Sequence, residues 1–205
     1  RGIRVVYYVS PQVWAWSRAR MQAMPRRVDL MLTIFPFERE LYREIDLPVE
    51  YVGHPVVDRL AGERFIPIGQ QLRRGHNVAL LPGSREPEVR RIFPMMLDVA
   101  RELAARWEDG ADGELRFLVA VAHERLMPIV WQTLAAQPDA QPRRRFQIEV
   151  GAAHRFMRAA AWGMVASGTA TLESAYFGMP MLVLYKVAWP TYQIGRRLVR
   201  VPHLA

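Results

Sequence analysis

The sequence predicts an α/β protein built on two parallel sheets covered by helices on both faces. Short apolar runs rich in β-branched and aromatic residues alternate with helix-like stretches along the chain. A polar stretch without clear periodicity, residues 61–76, interrupts this alternation, which restarts at Asn77. Such alternation is typical of parallel sheets. Because the pattern is interrupted once, we expect one domain over residues 1–55, a second over residues 77–205, and a connection between them over residues 56–76.

The first domain is predicted to hold three strands. The first is rich in β-branched and aromatic residues and is of the buried type, and the second is also predicted to be buried. We expect one unbroken helix after the first strand, stopped by Pro25, and a second helix opened by Pro36. The predicted strands are 5–9, 28–35 and 49–52, and the predicted helical segments are 12–24, 37–45 and 56–60.

In the second domain, Pro94 is predicted to stand at the start of a helix, because inside one it would remove a backbone hydrogen bond. Gly178 is predicted to end the helix that follows Gly168. The predicted strands are 77–81, 115–122, 143–150, 159–166 and 181–185, and the predicted helices are 94–107, 123–136, 152–160, one after Gly168, and 189–199.

Composition excludes several classes of protein and site. The 205 residues include no cysteine, so disulfides and thiolate metal sites are excluded and a reducing cytoplasm is favoured. No apolar run reaches the roughly 18 residues that a membrane span needs. The net charge of +8 suggests an anionic partner, either nucleic acid, anionic lipid or a phosphorylated substrate, or else a solvated basic surface.

A loop rich in small polar residues follows the predicted strand 159–166. Gly168 lets the backbone approach a ligand, the side chains of Ser167, Thr169 and Thr171 offer hydroxyls, and the following helix start offers free amides to a phosphate. Glu173, about one turn later, could accept hydrogen bonds from a sugar diol. The alternative is an ordinary helix cap with an acidic first turn.

A second loop of this kind, Gly83-Ser84-Arg85, follows the predicted strand 77–81. Backbone amides together with a guanidinium make a good clamp for a diphosphate. The alternative is a surface turn in which Arg85 pairs with Glu88. Two such loops after strands of one domain favour nucleotide-diphosphate binding, although neither is a Walker loop or a dinucleotide fingerprint.

Several motifs, in the same order along the chain, make this sequence resemble the lipid-A-disaccharide synthases. The Trp-rich segment is the most specific of them, whereas the glycine loops also occur in other glycosyltransferases of the same fold. The matching segments are Tyr8-Val9-Ser10-Pro11-Gln12-Val13-Trp14-Ala15-Trp16, Phe35-Pro36-Phe37-Glu38, Tyr51-Val52-Gly53-His54-Pro55, Leu80-Leu81-Pro82-Gly83-Ser84-Arg85 with Glu88, Ser167-Gly168-Thr169-Ala170-Thr171-Leu172-Glu173, Tyr185-Lys186 and Pro202-His203.

The resemblance implies a GT-B fold, that is, two Rossmann-like domains facing across a cleft, the N-terminal one incomplete here. It implies an inverting transfer of 2,3-diacylglucosamine from its UDP conjugate to 2,3-diacylglucosamine 1-phosphate, which yields the β-1,6 disaccharide of lipid A and UDP. No cofactor and no metal are implied. The chain begins at Arg1 without Met, directly before an apolar strand, so we expect it to be the middle of a longer protein that is inactive as this fragment.

The resemblance also implies roles for individual residues. Glu173 is expected to bind the ribose, and a general base is expected upstream of this chain, since no motif singles out Asp29, Glu38 or Asp58. The residues expected to bind the UDP diphosphate are Gly83, Ser84, Arg85, Ser167, Gly168, Thr169, Ala170 and Thr171.

Three residues are expected on the acceptor or membrane side. Trp14 and Trp16 lie in a basic segment that could meet acyl chains and anionic headgroups, or they could be core residues of an ordinary basic helix. His54 could contact substrate or could bond to the backbone at a hinge. The basic run 196–200 could touch diphosphate or membrane, or it could be a solvated helix end.

The resemblance further implies a peripheral location on the cytoplasmic face of the inner membrane of a Gram-negative-type bacterium, with a homodimer as a possible assembly. Two alternatives remain open. One is a UDP-sugar 2-epimerase-like enzyme on the same fold, and the other is a non-catalytic basic domain that binds anions. Nucleic acid is not expected as a partner, because most aromatic residues lie in apolar runs and are not interleaved with arginines on a polar face.

Overall fold

The computed structural model describes residues 2–63, 75–107, 113–137 and 143–186. Within them the chain divides into two compact units, one ending at Gly62 and the other running from Glu63 to Lys186. Each unit carries one wholly parallel sheet, so the predicted α/β class is confirmed. The predicted helix 189–199, the basic run 196–200 and Pro202-His203 lie outside the described residues.

The first unit is a three-stranded sheet in the order β1-β2-β3. Its core is built around Met31 of the central strand and Tyr42, neither of which is exposed to solvent. Its strands are β1 (Val6–Tyr8), β2 (Leu30–Thr33) and β3 (Val49–Tyr51), and its helices are α1 (Val13–Trp16), α2 (Arg18–Gln22), α3 (Pro36–Arg43) and α4 (Pro55–Leu60).

Two predictions for the first unit are wrong. β1 is not buried: all three of its residues are exposed, because their side chains lie outside the apolar core that includes Met31, Tyr42 and Val49. The predicted helix 12–24 is broken at Ser17, whose backbone is extended (φ −147°, ψ 85°). Serine favours such positions because its hydroxyl competes with helical backbone bonding. Pro25 then lies within a 3-10 turn, Met24–Arg26.

The second unit is a five-stranded sheet in the order β6-β5-β4-β7-β8. The central strand β4 is the most completely buried, with Val78, Ala79 and Leu80 at 0–1% exposure. The strands are β4 (Asn77–Leu81), β5 (Arg116–Val121), β6 (Phe146–Val150), β7 (Trp162–Ala166) and β8 (Met181–Leu184), and the helices are α5 (Glu86–Arg106), α6 (Met127–Ala135), α7 (Ala153–Ala159) and α8 (Thr169–Tyr176).

The prediction that Pro94 begins a helix is wrong. α5 begins at Glu86, with Pro87 in its first turn, and continues through Pro94 to Arg106. An interior proline costs a helix roughly 3 kcal/mol, whereas each large apolar side chain that is buried gains about 1.5–3 kcal/mol. Six residues on one face of α5 are buried, so packing outweighs the proline; they are Val89, Ile92, Phe93, Met96, Leu97 and Ala100.

Candidate functional site

The order of strands changes direction beside β4. From β4 the chain crosses to β5 on one side and later to β7 on the other. In open parallel sheets, a crevice forms outside the carboxyl ends of the strands at such a switch point, and ligands bind there. Leu81 at the end of β4 pairs with Val165 at the end of β7, so the two glycine loops predicted from sequence leave neighbouring strands at the same edge.

A glycine brings these two strands close together. Gly163 of β7 pairs with Ala79 of β4. A Cβ atom on Gly163 would lie 2.8 Å from Cε of Met179 and 3.0 Å from the carbonyl oxygen of Ala79. Only glycine fits here without a shift of these neighbours, so a side chain at position 163 would disturb the pairing of the two strands that carry the loops.

In the first loop, the donors predicted to bind diphosphate are already bonded to Glu88. Oε2 of Glu88 accepts hydrogen bonds from the backbone N–H groups of Ser84 (3.1 Å) and Arg85 (3.2 Å), and Oε1 lies 3.1 Å from Nη1 of Arg85. The structure therefore contains the Arg85–Glu88 pair that was the alternative for this loop. A carboxylate occupies the position that an anionic ligand would take.

Gly83 makes this arrangement possible. Its φ of +113° lies where residues with side chains are strained, and a Cβ there would lie 2.6 Å from Oε2 of Glu88. The carboxylate thus rests directly against the loop backbone. Ser84 and Arg85 are exposed, and the Arg85 side chain is 80% accessible, so a ligand can reach both.

The second loop has no such internal anion. The residue preceding α8 is Gly168 (φ +149°, ψ −162°), and no side chain caps the first turn of α8 within the described residues. The Thr171 hydroxyl donates to the carbonyl oxygen of Gly168 (2.7 Å) and so does not cap an amide. The alternative of an ordinary Ser or Thr cap is therefore not what the structure contains. Gly168 and Thr169 are exposed, and Ser167 and Ala170 are half-buried.

Glu173 lies on α8, one turn beyond Gly168, with 13% of its side chain exposed. Its Oε2 lies 3.4 Å from Nε2 of His154, at the start of α7. The His154 ring packs on Phe177, with the ring centroids 5.3 Å apart. The carboxylate predicted to bind ribose is thus next to an imidazole that the sequence analysis did not single out.

The Trp-rich segment of the first unit surrounds a buried carboxylate. Glu38 is 1% exposed and accepts hydrogen bonds from the Ser10 hydroxyl (2.5 Å), Trp14 Nε1 (3.2 Å) and the Phe35 amide (3.2 Å). Burial, with a smaller contribution from the nearby Glu38 charge, raises the pKa of Tyr42 above its usual value. The Trp14 indole is half-buried and lies edge-on to Phe37.

The loop entering this segment is strained. Val9 has a φ of +66°, a conformation that a β-branched residue rarely adopts. Two hydrogen bonds hold Val9 in this conformation. The adjacent Ser10 hydroxyl donates to Glu38, and the Tyr42 hydroxyl donates to the carbonyl oxygen of Pro11 (3.2 Å). Backbone strain that is maintained by surrounding contacts is frequent at functional loops.

The other residues predicted on the acceptor side have the following positions. His54 precedes α4, and its Nδ1 accepts a hydrogen bond from the Val56 amide (3.1 Å), which is the backbone-bonded alternative given above. The Trp16 side chain lies outside the described parts of the chain. Trp14 and His54 belong to the first unit, whereas both glycine loops and Glu173 belong to the second.

A metal-binding cluster and a membrane-spanning helix are both absent from the residues that the structure describes. Among them, no group of three or more His, Asp or Glu side chains is arranged to hold a metal ion. The absence of a cofactor stays a prediction. None of the described helices combines the length and the apolar character required to cross a bilayer.

Comparison with known proteins gives one consistent result. The sequence model of a family described as lipid-A-disaccharide synthetase matches residues 1–205. Proteins named lipid-A-disaccharide synthase are similar to this chain: 36% identical in Geobacter sulfurreducens, 37% in Azotobacter vinelandii and 38% in Alkalilimnicola ehrlichii, over 99%, 98% and 100% of the chain. The chain spans about half the length of these relatives, between 51% and 53%.

Proposed function

Because this chain belongs to the lipid-A-disaccharide synthase family, a family of glycosyltransferases, we propose that it carries the UDP-binding unit of such an enzyme. The whole enzyme transfers 2,3-diacylglucosamine from its UDP conjugate to the 6-hydroxyl of 2,3-diacylglucosamine 1-phosphate with inversion. The products are the β-1,6 disaccharide of lipid A and UDP. The GT-B architecture fits the two parallel sheets.

The observation that carries this proposal is the position of the two glycine loops. They leave β4 and β7 side by side at the switch point of a parallel sheet, and each leads into a helix. Helix N-termini provide amides and a positive dipole end, which favour a phosphate group. Within the part of the chain that the structure describes, no other pair of neighbouring strands ends in two glycine loops.

The proposed chemistry is electrostatic stabilisation of the departing UDP. With no metal, the charge that develops on the diphosphate must be met by fixed amides, hydroxyls and cations. We assign this role to the backbone of Gly83, Ser84 and Gly168–Thr171, the Ser167 and Thr169 hydroxyls, and the Arg85 guanidinium. Glu173 binds the ribose hydroxyls. Glu88 has to leave the first loop when the diphosphate enters.

We assign no general base in this chain. Two of the three carboxylates considered above are already bonded: Glu38 is buried with three donors, and Asp29 accepts a hydrogen bond from the Val5 amide (2.7 Å). No contact of Asp58 with the described residues singles it out as a base. The lipid substrates and the net charge of +8 support association with the anionic inner-membrane surface, with Trp14, Trp16 and His54 on the acceptor side. Homodimer formation is part of the same proposal.

Calorimetric titration of this chain with UDP and with ADP tests the assignment. We expect saturable binding that favours UDP and is lost in Glu173→Ala. Glu102→Ala, which removes an exposed carboxylate late in α5, is the matched control and should bind like wild type. Circular dichroism checks the fold of each protein. Folded wild type that binds no UDP overturns the assignment, and equal, salt-sensitive binding of UDP and ADP favours a basic anion-binding domain.

A further inference from the structure

We infer that His154 is a positioning residue that orients Glu173 for the ribose hydroxyls of the nucleotide. The inference rests on the proposed function, since it concerns the same site. Its direct observation is the 3.4 Å distance between Nε2 of His154 and Oε2 of Glu173. This lies within ion-pair range and slightly beyond a typical hydrogen bond, and contacts of this type in ligand-free sites often tighten on binding.

The fold brings His154 to this position. β6 ends at Val150, Gly151 turns the chain with a φ of +71°, and α7 begins at Ala153. The turn is fixed by the Gly151 amide, which donates to the Val121 carbonyl at the end of β5 (2.9 Å). His154 therefore stands in the first turn of α7, at the carboxyl edge of the sheet where the glycine loops also lie.

Phe177 supports both members of the pair. It follows Glu173 by four residues, so the two side chains share a face of the helical segment. Phe177 is fully buried and packs under the His154 ring. The imidazole thus packs on a buried aromatic ring, with 51° between the ring planes, while its Nε2 faces the carboxylate, and these two contacts restrict its rotation.

Arg158 adds a second anchor between the same helices. It lies one turn after His154 on α7, and its guanidinium carbon is 5.0 Å from the centre of the Phe177 ring. Its ion pair is with Glu63. α7 therefore holds the end of α8 at two points, and His154 is the one that contacts the carboxylate.

The arrangement suits recognition of a diol. A carboxylate offers about four lone-pair positions, so Glu173 can accept hydrogen bonds from ribose hydroxyls while its Oε2 also faces His154. An oriented side chain loses less rotational freedom when the ligand binds, which increases affinity.

Titration with UDP and 2′-deoxy-UDP separates this role from a structural one. For His154→Ala we expect UDP affinity to fall about three- to tenfold, the range typical of one lost hydrogen bond, with little change for 2′-deoxy-UDP. His154→Gln keeps an N–H donor near the Nε2 position and should restore most of the discrimination. His123→Ala removes an exposed histidine that follows β5 and should behave as wild type.

Several outcomes overturn the inference. An equal loss of affinity for both nucleotides in His154→Ala would make the residue structural, and unchanged affinity for both would remove it from the site. In either case, UDP binding that depends on Glu173 leaves the proposed function standing. If wild type binds no UDP, both fail. The nitrogen NMR chemical shifts of the His154 imidazole, compared between wild type and Glu173→Gln, check the pair independently. If the Nε2 shift is the same in both proteins, the contact with Glu173 is overturned.

Discussion

Oε1 of Glu88 lies 3.1 Å from Nη1 of Arg85, three residues earlier in the chain. The other oxygen of the same carboxylate accepts the two backbone amides of the loop. All three donors are those proposed for the UDP diphosphate. A ligand at this loop therefore competes with a carboxylate that is covalently tethered beside it.

Replacing Glu88 by alanine should strengthen nucleotide binding. The substitution frees two amides and a guanidinium and removes a negative charge next to the diphosphate. We expect UDP affinity to rise about three- to tenfold, which corresponds to about 0.7–1.4 kcal/mol, the scale of a partly exposed charged contact. Calorimetric titration of both proteins with UDP measures this change in affinity.

Glu86→Ala is the matched control, because Glu86 stands in the same turn of α5 but pairs with Arg90. It should leave UDP affinity unchanged. If Glu88→Ala binds UDP more weakly while remaining folded, Glu88 supports the loop and does not compete with the ligand.

Gly168→Ala should weaken UDP binding strongly, although the added methyl group meets little steric conflict. A Cβ at this position meets no atom within 4 Å, but the backbone conformation is open almost only to glycine. We expect a local cost of about 1–3 kcal/mol, relieved by reshaping of the loop, and a loss of UDP affinity of at least tenfold. Gly62→Ala, with open space and no positive φ, should be neutral. Unchanged UDP affinity in Gly168→Ala would show that the loop geometry is not needed.

Because of Tyr42, the free energy of unfolding of the first unit should decrease at alkaline pH. Its pKa is raised in the folded state, chiefly by burial, so the folded protein keeps the phenol proton after the unfolded chain has lost it. The stabilisation that results is fully present below about pH 10, which is the pKa of tyrosine in the unfolded chain. It is lost as the pH rises through the higher pKa of Tyr42 in the folded protein.

Urea unfolding between pH 8 and pH 11.5 tests this. Tyr42→Phe should be less stable at pH 8, by about 1 kcal/mol for the lost bond to Pro11 O, and should show a smaller alkaline decrease than wild type. The exposed Tyr185→Phe serves as control. Parallel pH profiles for wild type and Tyr42→Phe would contradict the prediction.

Pro94→Ala should stabilise the second unit by about 1 kcal/mol. The alanine amide can complete the helical bond that proline lacks, and this gain exceeds the added entropy of the unfolded chain, about 0.4–1 kcal/mol. Pro87→Ala gains no such bond, because Pro87 lies in the first turn of α5, and it should be neutral or slightly destabilising. Chemical denaturation compares the two. A less stable Pro94→Ala would mean that the proline bend is required for packing.

The sequence predicts best what local chemistry determines. The bounds of β4 match the predicted strand 77–81, because a short apolar run ends there at Pro82 and Gly83. The glycine loops were found for the same reason, since glycine and hydroxyl residues after a strand form a local signal. The sequence does not predict that the two loops lie side by side at the switch point, because this depends on the order of the strands in the sheet.

What the sequence did not predict depends on packing between distant segments. Pro94 has the same local signal as Pro36, yet only Pro36 begins a helix, because the buried face of α5 continues past Pro94. His154 and Glu173 lie on different helices, and no spacing rule connects them. Glu88 was noted only as a partner of Arg85, because its bonds to the loop amides depend on backbone geometry.

The position of β4 at the centre of its sheet has a consequence for folding. During synthesis β4 is the first strand of this sheet to emerge, yet its neighbour β7 begins at Trp162, after β5 and β6. One edge of this buried central strand therefore stays unpaired while more than half of the unit is translated. Such late, long-range pairing is slow and exposes the nascent chain to aggregation, so the crevice at the switch point is among the last features to form.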